Sequence, residues 1–194
     1  MSNIRIFVSH RIDIDSETVD TPVYFPVRCG AVYDEEGNSE IQGDDTGDNI
    51  SKLRMLFCEF TVQYWAWKNV DADYYGLCHY RRYLSFSDNH YNNTAFNMVR
   101  ELRLTAHEKK KYHLDDTKKI NSVVQKYDMI IPVVAKASEM SYNRAEVKTL
   151  REMWESYNGV YFEQGIIDKM FSLIKELSPE YYNSACEYFS GEYH

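Results

Sequence analysis

Alternating apolar and polar residues at the start of the chain predict a β-strand. In Ile4–His10 the apolar side chains fall on one face, as in a half-buried strand. The aromatic-rich run Asp73–Tyr83 has a similar character, and the continuous apolar run Tyr127–Val134 predicts a buried strand. Val23–Val27 is short and is broken by Pro26, which predicts an edge strand or a loop.

Apolar residues with spacings of three and four predict a helix over Ile50–Asn69. Further helix-like patterns cover about 143–157, 163–177 and 179–190. Strands that alternate with helices are typical of the α/β class, so we expect a mixed or parallel sheet flanked by helices, in a single domain over 1–194. The predicted core stripe of the first helix consists of Leu53, Leu56, Phe57, Phe60, Tyr64 and Trp67, and Trp65 widens it.

The composition is that of a globular protein, and it excludes several functional classes. The 194 residues are 44% hydrophobic and carry a formal net charge of -8, which argues against a protein that coats nucleic acid. No transmembrane-length apolar run and no secretory signal are visible. Four widely spaced cysteines without a zinc-binding pair predict reduced, mostly buried thiols, and we therefore expect a cytoplasmic protein.

The strongest chemical signal lies at the end of the aromatic run. His79 is followed closely by Arg81 and Arg82. Adjacent residues of a continuing strand point to opposite faces, so one arginine would face a cleft and the other would pair elsewhere. Guanidinium groups bind carboxylates and phosphates through paired hydrogen bonds, which indicates an anionic ligand. The alternative is a buried arginine–carboxylate pair beside a structural histidine.

The first predicted strand also ends in polar residues. His10 and Arg11 follow its apolar positions. In open α/β sheets, ligands bind beyond the carboxyl ends of the strands, so His10 is a candidate ligand contact. The alternative is an ordinary loop histidine.

Acidic residues are concentrated between Cys29 and Ser51, where seven acids occur without a lysine or arginine. Asp44, Asp45 and Asp48 could supply oxygen ligands to a hard cation such as Mg²⁺ or Ca²⁺. The alternative is a solvated turn that caps the following helix. A literal D-x-D occurs at 71–73, but it precedes a predicted strand, so we interpret it as a turn between helix and strand.

The region Arg100–Lys119 is the one basic stretch, with Lys109–Lys111 at its centre. Such a region could contact an anionic membrane surface or an anionic substrate. The alternative is a solvated helix and loop.

Several of these stretches together resemble the DUF4422 family of bacterial capsular and exopolysaccharide biosynthesis proteins. The resemblance covers roughly 4–134 and implies a glycosyltransferase with a GT-A fold, linked in some members to galactofuranose transfer. Family members are expected to continue past the last residues of this chain, which predicts a short or carboxyl-terminally truncated member. The matching stretches are YFPVRCGA at 24–31, GDNIS at 47–51, CEFT at 58–61, YWAWKN at 64–69, DYYGLCHYRRY at 73–83 and YDMIIP at 127–132.

The resemblance implies a UDP-sugar donor and a glycan or lipid-linked acceptor, with Mn²⁺ or Mg²⁺ as an optional cofactor, and the net charge argues against nucleic acid as a partner. It implies that His79, Arg81 and Arg82 stabilise the leaving diphosphate. His10 and Arg11 would line the nucleotide end. Asp48 and Asn49 would bind ribose, sugar hydroxyls or a metal, and the sequence does not identify the catalytic base.

Two other functions are compatible with the same residues. The chain could be a non-catalytic subunit that binds a nucleotide sugar or glycan, because it ends early relative to the family. It could also be a metal-dependent phosphohydrolase, in which Asp44, Asp45 and Asp48 would converge with His79 on one cation.

Overall fold

The computed structural model describes residues 2–14, 16–35, 37, 40–89, 91, 99–100, 104–142 and 146–193, of which 99–100 are described for their backbone alone. The chain divides into two compact units. One consists of Met1–Thr94 and Met98–Pro132, and the other of Ala95–Asn97 and Val133–His194. The expectation of a single domain stays a prediction.

The first unit contains one mixed sheet, and the α/β class is confirmed. Its described strands have the order β3-β2-β1-β4-β5-β6. Strands β1 to β4 are parallel to one another, whereas β5 pairs antiparallel with β4 and β6 pairs antiparallel with β5. The predicted first strand is confirmed residue for residue. The strands are β1 (Ile4–His10), β2 (Tyr24–Arg28), β3 (Gln42–Gly43), β4 (Tyr74–His79), β5 (Arg82–Tyr83) and β6 (Val99–Arg100).

Strand β1 lies between β2 and β4 inside the sheet, and side chains on both of its faces are buried. Ile4 and Val8 point into one core, and Phe7 points into the other. The second core is aromatic, with the rings of Phe7 and Trp65 centred 6.4 Å apart and nearly perpendicular. The described helices of this unit are α1 (Arg54–Phe57), α2 (Phe60–Asn69), α3 (Ala106–Lys111) and α4 (Thr117–Val124).

The prediction that Val23–Val27 is an edge strand or loop is wrong, because β2 lies between β1 and β3. Pro26 is nevertheless tolerated in β2, because the side on which proline lacks an N–H has no strand to pair with at that residue. It pairs with Val8 of β1 on one side, while β3 begins to pair only at Val27. The missing N–H of proline therefore removes no bond on the β3 side.

The predicted helix over Ile50–Asn69 is interrupted. A 3₁₀ turn and the short α1 end at Cys58, whose φ of 46° breaks the helix before α2 begins. The predicted core stripe is right at Trp65 and wrong at its other members, because the buried residues of α2 are Thr61, Val62, Trp65 and Ala66. Apolar side chains occupy both faces of this segment, so spacing alone could not show which face the sheet covers.

The prediction of a buried strand over Tyr127–Val134 is wrong. This segment forms no strand, and several of its apolar side chains are exposed, with Met129 at 77%. Its residues Tyr127–Ile130 line a cavity that is also lined by Tyr74–Cys78 of β4. Pro132 has no N–H to donate, and an apolar run becomes a strand only where a neighbouring backbone accepts it.

The second unit is helical. Its core contains Ala137, Val147, Leu150 and Met153. The predicted helices at about 163–177 and 179–190 are confirmed, whereas the pattern over 143–157 is helical at Leu150–Glu155 and residues 143–145 lie outside the described part. The described helices are α5 (Ala137–Met140), α6 (Leu150–Glu155), α7 (Ile166–Leu177) and α8 (Tyr182–Ser190).

Candidate functional site

The carboxyl ends of three parallel strands meet at one edge of the sheet. Ser9 lies opposite His79 in the β1–β4 pair, and His10 lies opposite Arg28 in the β1–β2 pair. The register therefore brings His10, Arg28 and His79 together from distant parts of the sequence. This is the edge at which α/β sheets bind ligands.

His10 is buried, with 2% of its surface exposed. Its Nδ1 lies 2.5 Å from the Ser16 hydroxyl, whereas its Nε2 has no hydrogen-bond partner among the described residues. Burial, and then the charge of His79, lower the pKa of His10 from 6.5 to about 4. The imidazole is therefore neutral at pH 7, with one unsatisfied ring nitrogen.

A cavity of about 400 Å³ opens beside His10. Its walls combine isoleucines with charged side chains, and such a mixture suits a nucleotide, whose base is flat and apolar and whose phosphates are anionic. The lining residues are His10, Arg11, Ile12, Ile14, Ser16, Glu17, Arg28 and Ile41.

The two cavity arginines are held in place by neighbouring groups. Arg11 forms an ion pair with Asp13, in which Nε donates to Oδ1 at 2.8 Å. Arg28 forms an ion pair with Asp34, and its Nε donates to the carbonyl of Ile41 at 3.0 Å. Arg28 was missed in the sequence because the YFPVRCGA stretch contains it without indicating that it opposes His10.

Strand β4 ends at His79, so the expectation that Arg81 and Arg82 continue the strand on opposite faces is wrong. The chain turns at Tyr80–Arg81, and Arg82 begins β5 opposite His79. The turn still delivers all three cationic or imidazole groups to the same edge. The Arg81 guanidinium lies 4.9 Å from the centre of the Tyr80 ring, and this cation–π contact helps to hold the guanidinium in place.

His79 is fixed by the turn that follows it. Its Nδ1 accepts the backbone N–H of Arg81 at 3.3 Å, so the neutral ring carries its proton on Nε2. Burial, and then the positive charge of Arg82, lower the pKa of His79. A neutral imidazole with a fixed Nε2–H can donate a hydrogen bond to an anion.

Two charged residues at this edge, Arg54 and Glu59, were not assigned to the site from the sequence, where Glu59 could face a cleft but a solvated face is favoured. Arg54 packs against Gly30, where a Cβ would collide with the Arg54 side chain and where φ is +70°. The pKa of Asp13 is lowered first by the hydrogen bond from Arg11 and also by the charge of Arg54. The negative charge of the half-buried Glu59 partly offsets the lowering of the His79 pKa. Both lie in the segment predicted as a regular helix, which concealed the break at Cys58.

Asp44 serves as a buried anchor. Its side chain is fully buried and accepts four hydrogen bonds, from the backbone N–H groups of Gly30 and Ala31 at 2.9 Å and from the hydroxyls of Ser51 at 2.5 Å and Thr61 at 2.6 Å. Both carboxylate oxygens are occupied by donors. Asp44 therefore ties the loop after β2 to Ser51 and to α2.

Asp48 and Asn49 are tied to α2. Asn69 receives the Asp48 backbone N–H at 3.0 Å and donates to the Asp48 carbonyl at 2.8 Å, and Tyr64 donates to the Asp48 carboxylate at 3.1 Å. The Asn49 side chain bonds within its own loop. Neither residue lines the cavity beside His10. Their predicted role in ligand binding stays a prediction.

The predicted metal role of the acidic cluster also stays a prediction. Asp45 is exposed and Asp44 is saturated with hydrogen bonds. In the part of the chain that the structure describes, no three His, Cys, Asp or Glu side chains are grouped so that they could hold a metal ion. The D-x-D at 71–73 is confirmed as a turn, since it joins α2 to β4.

The basic stretch Arg100–Lys119 lies partly outside the described residues. Lys109 donates to the carbonyl of Thr18, and Lys119 forms an ion pair with Asp88. Membrane contact through this region stays a prediction. No described helix is both long and apolar enough to cross a membrane.

The thiols are not mostly buried as expected, because Cys58 is exposed and only Cys29 is buried.

Comparison with known proteins agrees with the fold and identifies the family. The profile of the domain of unknown function DUF4422 matches residues 5–194, beyond the stretch over which motifs could be recognised in the sequence. The chain therefore belongs to the DUF4422 family. No curated protein matches it.

A solved structure is also similar to this chain. It is described as the apo structure of WbbM, a bifunctional glycosyltransferase, with a TM-score of 0.82 and 26% sequence identity. The similarity covers 99% of this chain and 32% of that chain. The chain thus spans about a third of the length of this bifunctional protein.

Proposed function

We propose that the protein is a GT-A-type glycosyltransferase that uses a nucleotide-diphosphate sugar as donor. The observation that carries this proposal is His10, a buried imidazole with an unsatisfied Nε2 at a cavity that also holds Arg11 and Arg28. A buried polar atom without a partner costs free energy, so a ligand that supplies the missing bond is favoured. The similarity to a bifunctional glycosyltransferase supports a nucleotide sugar as that ligand.

The nucleotide is proposed to occupy the cavity beside His10. Ile12 and Ile14 would contact the base, while Arg28 and Arg11 would lie towards the phosphates. Because His10 is neutral, its Nε2 can serve a hydroxyl or phosphate oxygen without adding a charge to the buried site.

The diphosphate is proposed to leave towards the turn after β4. There, the Nε2–H of His79 and the guanidinium groups of Arg81 and Arg82 would stabilise the negative charge that develops on the leaving group. For an inverting reaction, Glu59 is the carboxylate to test first as general base, because its charge acts on His79.

The described acidic residues do not fit a Mn²⁺ or Mg²⁺ site, since Asp44 is saturated and no cluster of ligands converges. The proposed mechanism therefore assigns no step to a metal. Cationic side chains perform the stabilisation of the leaving group.

The proposed acceptor is a growing capsular, exopolysaccharide or O-antigen glycan, free or lipid-linked. Galactofuranose is the donor sugar to test first. These assignments rest on the resemblance of the sequence to the family and on the glycosyltransferase fold of the similar structure.

Titration calorimetry with UDP, UDP-glucose and UDP-galactofuranose, each with Mn²⁺ and with EDTA, tests the proposal. We expect binding that survives EDTA and is lost in His10→Ala. Absence of binding to all three ligands under both conditions would contradict the proposal. Binding without sugar transfer to any glycan acceptor would favour a non-catalytic binding subunit. Binding that requires Mn²⁺ would favour a metal site at Asp44, Asp45 and Asp48.

A further inference from the structure

Arg54 is a cation at the edge of the candidate site to which the proposed donor complex assigns no contact. It is the first residue of α1, it is half-buried, and its side chain lies against Gly30, just after β2. The pKa of Asp13 is lowered first by its hydrogen bond with Arg11 and also by the charge of Arg54. The guanidinium of Arg54 is therefore close to the residues that surround the cavity beside His10.

The Arg54 guanidinium has neither a hydrogen-bond partner nor an ion-pair partner among the residues that the structure describes. The two arginines of the cavity differ in this respect, because Arg11 is paired with Asp13 and Arg28 is paired with Asp34. A guanidinium group carries five N–H donors and stays charged in proteins. Withdrawing such a group partly from water without a partner costs free energy, so an anion that accepts its hydrogen bonds is favoured.

The acids of this region do not neutralise Arg54 by direct contact. Both carboxylate oxygens of Asp13 accept hydrogen bonds from Arg11. The carboxylate of Asp44 is saturated by four neutral donors. Glu59 follows in the same segment and forms no ion pair with Arg54. Within the described part of the chain, the N–H groups of Arg54 are thus available to a ligand.

Gly30 fixes the position of the Arg54 side chain. A Cβ at Gly30 would overlap with Cβ, Cγ and Cδ of Arg54, so the stem of the arginine packs directly on the glycine backbone. That backbone is itself anchored, because the Gly30 N–H donates to Asp44 at 2.9 Å. A side chain that is packed along its stem loses less rotamer freedom when its head binds a ligand. The contact therefore pre-organises the guanidinium.

The segment that begins at Arg54 spans the two ends of the proposed donor site. The charge of Arg54 acts on Asp13, which follows β1, whereas the charge of Glu59 acts on His79 at the end of β4. A donor with its base in the cavity beside His10 and its leaving group at the turn after β4 would carry its diphosphate past this segment.

We propose that Arg54 binds the diphosphate of the donor and that Gly30 positions Arg54 for this contact. The planar guanidinium group matches phosphate oxygens through two parallel hydrogen bonds. This inference rests on the proposed function, and it adds a residue that recognises the diphosphate and not the nucleoside. Arg54 should therefore contribute to the affinity for UDP and not to the affinity for uridine.

Equilibrium titrations of the unaltered chain and of Arg54→Gln test the proposal, by calorimetry for UDP and by ligand-observed NMR for uridine. We expect Arg54→Gln to raise the Kd for UDP about tenfold or more, because a charge-assisted contact with phosphate is lost. The Kd for uridine should not change. Arg54→Lys keeps the charge without the planar fork and should bind UDP with intermediate affinity.

Lys52→Gln is the matched control for charge. Lys52 is an exposed cation in the 3₁₀ turn before α1, so the variant loses the same charge from the same region. Its Kd for UDP should stay within about twofold of that of the unaltered chain. Thermal unfolding of each variant, with and without UDP, shows that it is folded.

Gly30→Ala tests the positioning role without removal of the charge. The new Cβ should displace the Arg54 stem and weaken UDP binding in the unaltered background. The same change should add little in the Arg54→Gln background, because the side chain that it displaces is already gone. Full additivity of the two changes would overturn the positioning role of Gly30.

The remaining outcomes separate this inference from the proposed function. Equal UDP affinity of the unaltered chain and Arg54→Gln, at a site that His10→Ala abolishes, would overturn the role of Arg54 and leave the proposed function standing. Equal proportional losses for UDP and uridine would also overturn it, since Arg54 would then act through the fold of the site. Absence of UDP binding by the unaltered chain would overturn the proposed function and this inference with it.

Discussion

His10 and His79 end neighbouring parallel strands, and both imidazoles lie beside the ring of Tyr80. The Tyr80 ring centre is 4.2 Å from that of His79 and 6.2 Å from that of His10. Burial lowers the pKa of both histidines, and the charge of His79 further lowers the pKa of His10. The site thus holds two neutral imidazoles among arginines, so guanidinium groups supply the positive charge of its described residues.

The lowered pKa of His10 predicts a pH-dependent stability. The unfolded chain binds a proton on His10 near pH 6.5, while the folded chain does so at about pH 4. Protonation therefore favours unfolding, and the free energy of unfolding should fall as pH drops from 6.5 towards 4. At ~1.4 kcal/mol per pKa unit this contribution is at most about 3.5 kcal/mol.

Urea titrations of the unaltered chain and of His10→Asn, at several pH values between 4 and 7, measure this contribution. Asparagine cannot titrate, so the variant should lose the His10 part of the slope whatever its absolute stability. Carboxylates such as Asp13 contribute equally to both proteins and cancel in the comparison. Identical slopes would show that His10 is not buried in its neutral form.

Removal of a guanidinium group at the β4 turn should weaken nucleotide-sugar binding. We expect Arg81→Ala and Arg82→Ala each to raise the Kd for UDP about tenfold or more, because each removes a charge-assisted hydrogen bond to phosphate. Arg5→Ala is the matched control, since Arg5 lies in the amino-terminal half of β1 and donates to the carbonyl of Pro22. Unchanged affinity in both site variants would remove these arginines from the diphosphate site.

Asp44 should be a determinant of stability. Asp44→Asn replaces one acceptor oxygen by an NH₂ group that faces donors, and we expect a loss of about 2–4 kcal/mol in the free energy of unfolding. The exposed Asp45 provides the control, and Asp45→Asn should change stability by less than ~0.5 kcal/mol. If Asp44 instead bound a metal, added Mn²⁺ would raise the Tm of the unaltered chain and EDTA would lower it.

The loop that contains Asp48 and Asn49 should depend on Asn69 for its conformation. Gly47 has φ of +59°, and Asn69 closes the loop through two hydrogen bonds, one with each backbone group of Asp48. A third bond, to the carbonyl of Trp65, fixes the Asn69 side chain on its own helix. Asn69→Ala should cost about 1–3 kcal/mol in thermal or urea unfolding, while Gln63→Ala, an exposed neighbour, should cost little. A large loss of UDP affinity in a folded Asn69→Ala would show that this loop binds the donor after all.

The sequence predicted those parts of the fold whose signal is local. The alternation in Ile4–His10 defines β1 because strand period and face are properties of neighbouring residues. The turn at 71–73 was also predictable, since it lies between two clear patterns. The aromatic run around Tyr74–His79 was recognised as a strand, but its end at His79 was not.

Features that depend on distant partners were not predictable. The choice between the Trp65 face and the Trp67 face of α2 depends on which side meets the sheet, and both faces are apolar. The exposed state of Tyr127–Val134 likewise depends on the absence of a pairing partner among the described strands. Arg28 joins the site through its register with His10, which no local pattern reveals.

The central claim is that a nucleotide-diphosphate sugar binds where the carboxyl ends of β1, β2 and β4 meet. Amide hydrogen exchange of the unaltered chain, with and without UDP-galactofuranose or UDP-glucose, tests it most directly. We expect ligand-dependent protection in His10–Ile14, Val27–Gly30 and His79–Tyr83, and none in α7. Protection confined to Asp44–Ser51, or no protection at a saturating concentration of either ligand, would contradict the claim.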